Sequence, residues 1–379
     1  MAKRVFLIVF DSFGIGGAHD AADFGDECSN TLKSISQSRY FKIKTLKKLG
    51  LFNIDGVDVG EKEKNPIGSY ARAVEKSNGK DSTIGHWEIA GIISKTPFPL
   101  FPNGFPTSFI KKLEKVWNRK IIVNKPYSGT QVLIDYGQEH INTGKIIVYT
   151  SGDSVLQVAC HNSVASVEEL YKMCEQAREL CTGDFAVGRV IARPFIGEYP
   201  NFIRTHDRKD YSLTPPKKTI LNKIQEKSMD VIAIGKINAL FNGYGITESY
   251  ITSSDEDGMK KTIQMTERDF NGLCFVNLVD FDTEFGHRNN IDGYANNLSK
   301  MDKHVGKLIK CLTEDDVLVI TADHGCDPAT ESTDHSRENV PVLIYQKGKT
   351  SQNLGTFSSF ADIGKLILDE LTNNKKIPN

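Results

Sequence analysis

The chain has no excess charge of either sign: 47 lysines and arginines stand against 48 aspartates and glutamates, a formal net of -1 over 379 residues. A global attraction to nucleic acid or an anionic membrane is therefore not expected, although a local basic cluster can still bind phosphate. The seven cysteines are odd in number, scattered and without a CxxC pair. They read as reduced cytoplasmic thiols, not a disulfide framework. No apolar run approaches the ~20 residues of a membrane-spanning helix. The N-terminal run Val5–Phe10 is too short for a signal peptide, and Asp11 follows it with no small-residue cleavage site. It reads as the first core strand. Internal repeats and low-complexity tracts are missing. The loop Ser12-Phe13-Gly14-Ile15-Gly16-Gly17 lacks GxGxxG spacing and no helix opens on it, so a dinucleotide fingerprint is not supported. Its glycines instead allow a tight turn close to a metal.

The length makes two domains the default expectation. Proline marks the boundaries. The stretch Thr96–Pro106 carries four prolines and cannot be helix or central strand, and Thr214-Pro215-Pro216 is a second punctuation. Between them lie apolar runs at Lys120–Val123, Lys145–Tyr149 and Val187–Ala192, with a helical pattern over Val167–Cys181. Outside them strands and helices alternate. Strands are expected at Val5–Phe10, Asp230–Ile234, Leu273–Val279 and Val317–Ile320, and helices at Thr219–Lys227, Tyr294–Leu312 and Phe357–Leu371. The expected fold is α/β, a discontinuous core (1–96 and 214–379) with a largely parallel sheet flanked by helices. A smaller α+β cap domain (97–213) is inserted in it.

Asp323 and His324 directly follow the β-branched run Val317–Ile320, and ligand sites in open α/β sheets lie at the carboxyl ends of strands. Asp11 and Asp282 also sit just past apolar strands, and His287 and His335 add two imidazoles. These six carboxylates and imidazoles suit zinc, manganese, iron or cobalt. Two such ions suggest phosphoryl transfer. Spacing does not choose between Asp280 and Asp282, which period-two alternation points to one face. Asp334 reads either as a ligand or as a group that orients His335. Cys326 reads as a small buried residue beside the site, with ligation as the alternative. His304, on an expected helix, reads as surface or core. Asp81-Ser82-Thr83 looks like a helix start, whose free N–H groups favour an anion. Metal coordination would activate Ser82 or Thr83 as a nucleophile, and capping the helix is the competing role.

Several segments closely resemble the phosphopentomutase family. They are Val9–Gly16, Gly79–Glu88 (Gly-Lys-Asp-Ser-Thr-Ile-Gly-His-Trp-Glu), Tyr149–Gln157, Gly188–Pro194, Val279–Arg288, Thr321–Gly325 and Thr333–Glu338. The match runs in order along essentially the whole chain. Its Asp-His-Gly element is shared across the alkaline-phosphatase superfamily, whereas Gly-His-Trp-Glu and the cap segments are specific to the pentomutases.

The resemblance implies a two-metal isomerase, usually manganese-dependent, that interconverts ribose 1-phosphate and ribose 5-phosphate and the 2-deoxyribose pair. It would link nucleoside salvage and catabolism to pentose phosphates. Asp282, His287 and His335 would hold one metal. Asp11, Asp323, His324 and the nucleophile oxygen would hold the other. The family usually has threonine after the Lys-Asp pair; here that position is Ser82, which register favours as the phosphorylated residue, with Thr83 as the alternative. The family commonly has asparagine where this chain has Cys326. Arg193, Arg208 and Lys236 match phosphate-binding positions, and Asp153 a sugar-hydroxyl contact. A bisphosphate such as glucose 1,6-bisphosphate would prime the enzyme, and a closing cap would keep water from the phosphoserine. Rival readings are a metal-dependent phosphomonoesterase, a cofactor-independent phosphoglycerate mutase and a non-enzymatic metal-binding protein. No nucleic-acid or membrane partner is expected, and the oligomeric state is left open, a monomer included.

Overall fold

A computed structural model describes residues 2–151 and 154–372. The chain divides into two compact units, Met1–Thr96 with Pro215–Asn379, and Pro97–Thr214. Strands β1 (Arg4–Phe10) and β2 (Ser69–Ala73) open the first unit. The second holds β3 (Ile121–Pro126), β4 (Ile146–Thr150), β5 (Val155–His161), β6 (Arg189–Ile196), β7 (Ile203–Arg204) and β8 (Lys209–Ser212). The chain then returns to the first unit with β9 (Asp230–Ile234), β10 (Glu248–Tyr250), β11 (Gly272–Leu278), β12 (Asp316–Thr321), β13 (Val340–Gln346) and β14 (Asn353–Phe357).

The first unit is built on an eight-stranded sheet in the order β10-β9-β11-β1-β12-β13-β2-β14. The run from β10 to β12 is parallel throughout. Every residue of β1, β11 and β12 is buried, as expected of parallel strands covered on both faces. Phe10 pairs with Leu278 and Val9 with Thr321, so these strands end level with one another. That register brings the residues after β1, β11 and β12 to one edge of the sheet. At the opposite end Arg4 makes a forked pair with Asp316 (2.7 and 2.8 Å), both buried.

The other half of the sheet is mixed. β13 runs antiparallel to both neighbours, and β14 pairs with β2 in parallel. These strands escape the sequence reading. Pro341 sits in β13 without loss, because β12 pairs with β13 only from Leu343 onward and Pro341 faces β2 alone. The expected helix Phe357–Leu371 is corrected: Phe357 ends β14 and the helix spans Ala361–Thr372. Asp362 accepts from Ser358 Oγ and Ser359 N at the turn between them (3.0 and 3.2 Å). In the helix Ile291–Cys311, Tyr294, Leu298, Met301, Val305 and Leu308 form its buried stripe.

The second unit is a six-stranded mixed sheet, β3-β4-β5-β6-β7 with β8 on β6. Helices Thr107–Trp117 and Val167–Leu180 share one apolar cluster with it through Phe109, Leu113, Trp117, Leu170, Met173 and Ala177. Helix Gln131–Thr143 puts Val132 and Leu133 into a second cluster with Ile147, Tyr149 and Phe195. The capping box of Ser166 and Glu169 sets the start of the second helix.

A pair of acids, Asp255 buried and Asp280 half-buried, joins two elements of the first unit. Asp255 N donates to Asp280 Oδ2 (2.8 Å) and Asp280 N to Asp255 Oδ1 (2.9 Å), while Asn297 Nδ2 donates to Asp255 Oδ2 (2.7 Å). Burial, and next the charge of Asp280, push the Asp255 carboxyl up to about 7. A raised folded-state pKa means the folded protein holds the proton longer than the unfolded chain. The resulting stability is full below the ordinary carboxylate range and is lost as pH rises through about 7. Asp255→Asn, which cannot ionise, is expected to gain on wild type between pH 5 and pH 8 by about 1 kcal/mol or more. Thermal melts at the two pH values check this, and an equal difference at both would refute it.

Candidate metal centre

Asp11, Asp323 and His324, all fully buried, stand past the ends of β1 and β12. His324 Nε2 lies 3.3 Å from both Asp11 Oδ1 and Asp323 Oδ2. The other carboxylate oxygens are spoken for: Asn277 Nδ2 donates to Asp11 Oδ2 (2.9 Å), and Ser12 N to Asp323 Oδ1 (3.1 Å). Ser12 reaches Asp323 with φ at 70°, a left-handed conformation that side chains other than glycine rarely take. His324 Nδ1 bonds Gly325 O (3.0 Å), which turns Nε2 toward the carboxylates.

A second group forms where β11 runs into a π-helical turn, Phe281–Gly286. His287 N bonds Asp282 O five residues back (3.0 Å). In an α-helix, residues five apart point ~140° away from each other; the wider turn puts Asp282 and His287 on one side. His287 Nε2 lies 3.2 Å from Asp282 Oδ2, His335 Nε2 lies 3.4 Å from Asp282 Oδ1, and the two imidazoles are 3.1 Å apart. His287 Nδ1 donates to Thr333 O (2.6 Å), fixing its tautomer. The two acids differ in their contacts: Asp280 exchanges hydrogen bonds with Asp255, and Asp282 faces the histidines. Asp334 is largely exposed and accepts from its neighbour His335 N (2.9 Å), with Lys80 Nζ at 3.5 Å.

Ser82 opens the helix Ser82–Ile89. Capping falls to Asp81, whose side chain accepts from Thr83 N (2.9 Å) and Ile84 N (3.1 Å). Ser82 is thereby released from that task, and its Oγ lies 3.2 Å from His324 Nε2. Each residue of Gly85-His86-Trp87-Glu88 anchors this helix. A Cβ at Gly85 would sit 2.0 Å from Asp323 O. His86 Nδ1 reaches Ser82 O (2.8 Å) and lies 3.1 Å from Asp323 Oδ2. Trp87 Nε1 donates to Leu240 O (3.0 Å), and Glu88 accepts from Lys76 N, Ser77 N and Phe360 N (2.9, 2.6 and 3.0 Å).

The donor set fits two divalent cations. Among the described residues, Asp11 Oδ1, Asp323 Oδ2 and Asp282 Oδ1 are buried oxygens with no hydrogen-bond partner, a costly state unless a cation satisfies them. Asp11, Asp323 and His324 form one candidate cluster, and Asp282, His324 and His335 another. Burial works against a charged His324, but Asp323 and Asp11 raise its pKa well above the usual imidazole range. Burial likewise opposes charge on His287, yet Asp282 and Cys326 lift it to about 11. Both nitrogens must shed a proton to ligate, so acid competes with metal. Manganese affinity is expected to fall at least about tenfold from pH 8 to pH 6, with protons released on binding. Calorimetry in buffers of different ionisation enthalpy measures the release, and pH-independent binding without it would remove these histidines from the ligand set.

Four further residues organise the centre, and the sequence reading assigned none of them a role. Glu338, fully buried, accepts from Gly16 N, Thr31 N, Thr31 Oγ1 and Ser336 Oγ (2.8, 2.9, 2.7 and 2.7 Å), tying together the segments that flank Asp11 and His335. Burial pushes its pKa up to about 7 against these donors. Arg337, 2% exposed, donates to the carbonyls of Glu75, Ser77 and Gly79 (2.8, 2.9 and 2.9 Å) and to Asp20 (2.8 Å). It thereby holds the strand of chain that leads into Ser82. Asn277 and His86 support Asp11 and Asp323. The available signal was a polar Asn277 inside the apolar run Phe275–Leu278 and a charged pair just before β13.

The expected phosphate-binding residues divide between the units. In the second, Arg193 Nε and Nη2 donate to Gln157 Oε1 (3.2 and 3.0 Å), and Arg208 makes a fork with Asp210 (2.7 Å at both oxygens). Burial, then the charge of Arg208, lowers Arg193 to about 10, the mark of a cation short of counter-charge. Burial raises the pKa of the Tyr149 hydroxyl, which lies beside these arginines. Lys236 belongs to the first unit, immediately before the helix Ile237–Leu240. Asp153 lies outside the described residues. His304 is partly buried on the helix Ile291–Cys311. Among the described residues no helix is long and apolar enough to cross a membrane.

A family model described as the metalloenzyme superfamily matches residues 3–375. The chain is 54% identical over 369 residues to the phosphopentomutase of Lachnoclostridium phytofermentans, covering 97% of this chain and 95% of that protein. It is 53% identical over 367 residues to the phosphopentomutase of Acetivibrio thermocellus, with 96% and 95% covered. It is 51% identical over 363 residues to that of Carboxydothermus hydrogenoformans, with 95% and 94% covered. Among solved structures, the PH0037 protein from Pyrococcus horikoshii superposes with a TM-score of 0.53 at 14% identity, covering 100% of this chain and 99% of that one. This last likeness concerns the fold alone.

Proposed function

The chain belongs to the phosphopentomutase family within the metalloenzyme superfamily, and from this membership and its metal centre we infer how its residues carry out the reaction. It is an isomerase of the phosphotransferase type that interconverts ribose 1-phosphate and ribose 5-phosphate, and the 2-deoxyribose pair, using divalent metal ions. The finer reading makes Ser82 the phosphorylated nucleophile. The observation that carries it is Ser82 Oγ, relieved of capping by Asp81 and 3.2 Å from His324 Nε2, at a helix start beside buried carboxylate oxygens that carry no hydrogen bond.

In this reading phosphorylated Ser82 is the resting form. The free hydroxyl of a pentose monophosphate attacks its phosphorus; the Ser82 P–O bond breaks and a sugar P–O bond forms, giving a bisphosphate. The sugar reorients, Ser82 attacks the other phosphate, and the isomeric monophosphate leaves. Asp11, Asp323, His324, Asp282, His287 and His335 would hold two divalent ions, manganese in this reading, which would supply positive charge to offset that on the transferring oxygens and on Ser82 Oγ. His86 holds the Ser82 carbonyl, and the Asp81 cap fixes the first turn, so the nucleophile enters each transfer already oriented. The helix N-terminus favours the incoming phosphate charge.

The inserted unit supplies Arg193 and Arg208 to the phosphate that is not reacting, and the planar guanidinium fork suits it. Lys236 and Asp153 contribute a phosphate and a sugar-hydroxyl contact. Glucose 1,6-bisphosphate or a similar bisphosphate primes the unphosphorylated chain. The enzyme acts in the cytoplasm, between nucleoside breakdown or salvage and pentose phosphates. An assay with ribose 1-phosphate, manganese and the bisphosphate primer, with inorganic phosphate measured in parallel, tests the reading. Ribose 5-phosphate should form without matching phosphate release. Release without isomerisation would make the chain a phosphomonoesterase instead.

A further inference from the structure

The Asp282 position has a fourth donor within reach. The Cys326 sulfur, a carboxylate oxygen of Asp282 and an imidazole nitrogen of His287 all lie within 4.8 Å of one another. Cys326 is 1% exposed, and its thiol touches Asp334 O at 3.5 Å and the His287 imidazole. Asp282, 2% exposed, has His335 Nε2 3.4 Å from Oδ1, an oxygen with no hydrogen bond among the described residues. Asp282 thus stands within reach of two imidazoles and one thiol.

Donor count and softness decide what that set does. A site with three protein ligands keeps a place open for water or substrate, whereas four protein ligands close it. Thiolate selects zinc and other soft ions, while manganese prefers carboxylate, imidazole and water. With asparagine at this place, as is common in the family, no soft fourth donor is offered.

We propose that Cys326 turns the Asp282 position into a trap for thiophilic divalent cations. Zinc, cadmium or cobalt bound by Asp282, His287 and His335 recruits the Cys326 sulfur as a fourth ligand, the thiol proton passing to solvent as the metal–sulfur bond forms. That closes the coordination place the phosphoryl group needs. Manganese leaves Cys326 aside. The inference rests on the reading of Asp282, His287 and His335 as a metal position.

The experiment titrates cobalt into the metal-stripped full chain while recording the near-ultraviolet spectrum, with bound cobalt counted by equilibrium dialysis. Wild type should develop a sulfur-to-cobalt charge-transfer band, and Cys326→Ser should bind the same amount of cobalt without it. Cys326→Asn is a second variant should the serine form fail to fold. Competition by manganese should become at least about tenfold more effective in either variant. A band that persists in both variants, arising from the exposed Cys28 or Cys311, overturns the proposal, as does wild type that binds cobalt with no band. Failure of the underlying reading has its own signature: Asp282→Ala would then bind as much cobalt as wild type.

Discussion

Ser82→Ala is expected to take up no phosphoryl group from a bisphosphate primer and to lose mutase turnover by about 10⁴-fold or more. The size follows from the chemistry. Without the hydroxyl no covalent carrier exists, and a pentose monophosphate cannot pass its phosphate across the sugar while remaining bound. What survives is ligand binding, since Asp81 still caps the helix and the carboxylates are untouched. The predicted pattern is therefore a collapse of kcat while the carboxylates and imidazoles still bind metal, short only of the Ser82 oxygen. Intact-mass measurement after priming checks the nucleophile directly. If Ser82→Ala still gains one phosphoryl mass, Thr83 carries the group and the register of the site is off by one.

Gly85→Ala should be nearly as damaging, although it is a substitution that helix propensity favours. Alanine in place of glycine inside a helix ordinarily gains roughly 0.5–1 kcal/mol. Here the new methyl would lie 2.0 Å from the carbonyl oxygen of Asp323, a backbone atom of the strand end that carries two ligands. Neither partner can move without shifting Ser82 or Asp323. The expected outcome is a loss of about 2–3 kcal/mol of stability, as for other overpacked sites, together with weaker manganese binding. Should the variant melt at or above wild type and bind manganese equally, helix and strand are not in the close approach described.

How far the chain could be read before folding depended on which physical signal each element carries. β1, β11 and β12 are buried on both faces and so appear as unbroken apolar runs, and their terminal acids were found with them. β2 and β14 are only partly buried and mix small, polar and aromatic residues, so neither alternation nor an apolar run marks them. A period of two puts Asp280 and Asp282 on one face alike, but the chain enters a π-helical turn there, which breaks that period. Ser82 and Thr83 looked like caps because all three residues of Asp81-Ser82-Thr83 can cap, and only the bonds at Asp81 assign the task. Arg337 and Glu338 act through backbone atoms distant in sequence, and Asn277 and His86 through the distant carboxylates of Asp11 and Asp323; such partners leave no spacing to detect.

The clamp at Arg337 bears on how this chain can change over time. One guanidinium holds three backbone carbonyls, pairs with Asp20 at 2.8 Å and sits 2.7 Å from Glu75, itself almost wholly buried. Removing Arg337 alone leaves Glu75 buried in the field of Glu88 and Asp81 without its neighbouring cation, and removing either Asp20 or Glu75 leaves the cation under-compensated. Single steps through this triad are penalised, and viable paths must alter its members jointly. Because the carbonyls of Glu75, Ser77 and Gly79 take part whatever side chains surround them, even a coordinated swap to uncharged residues would orphan them. The triad is thus an evolutionary lock, and among descendants of this chain Asp20, Glu75 and Arg337 should be inherited as a block.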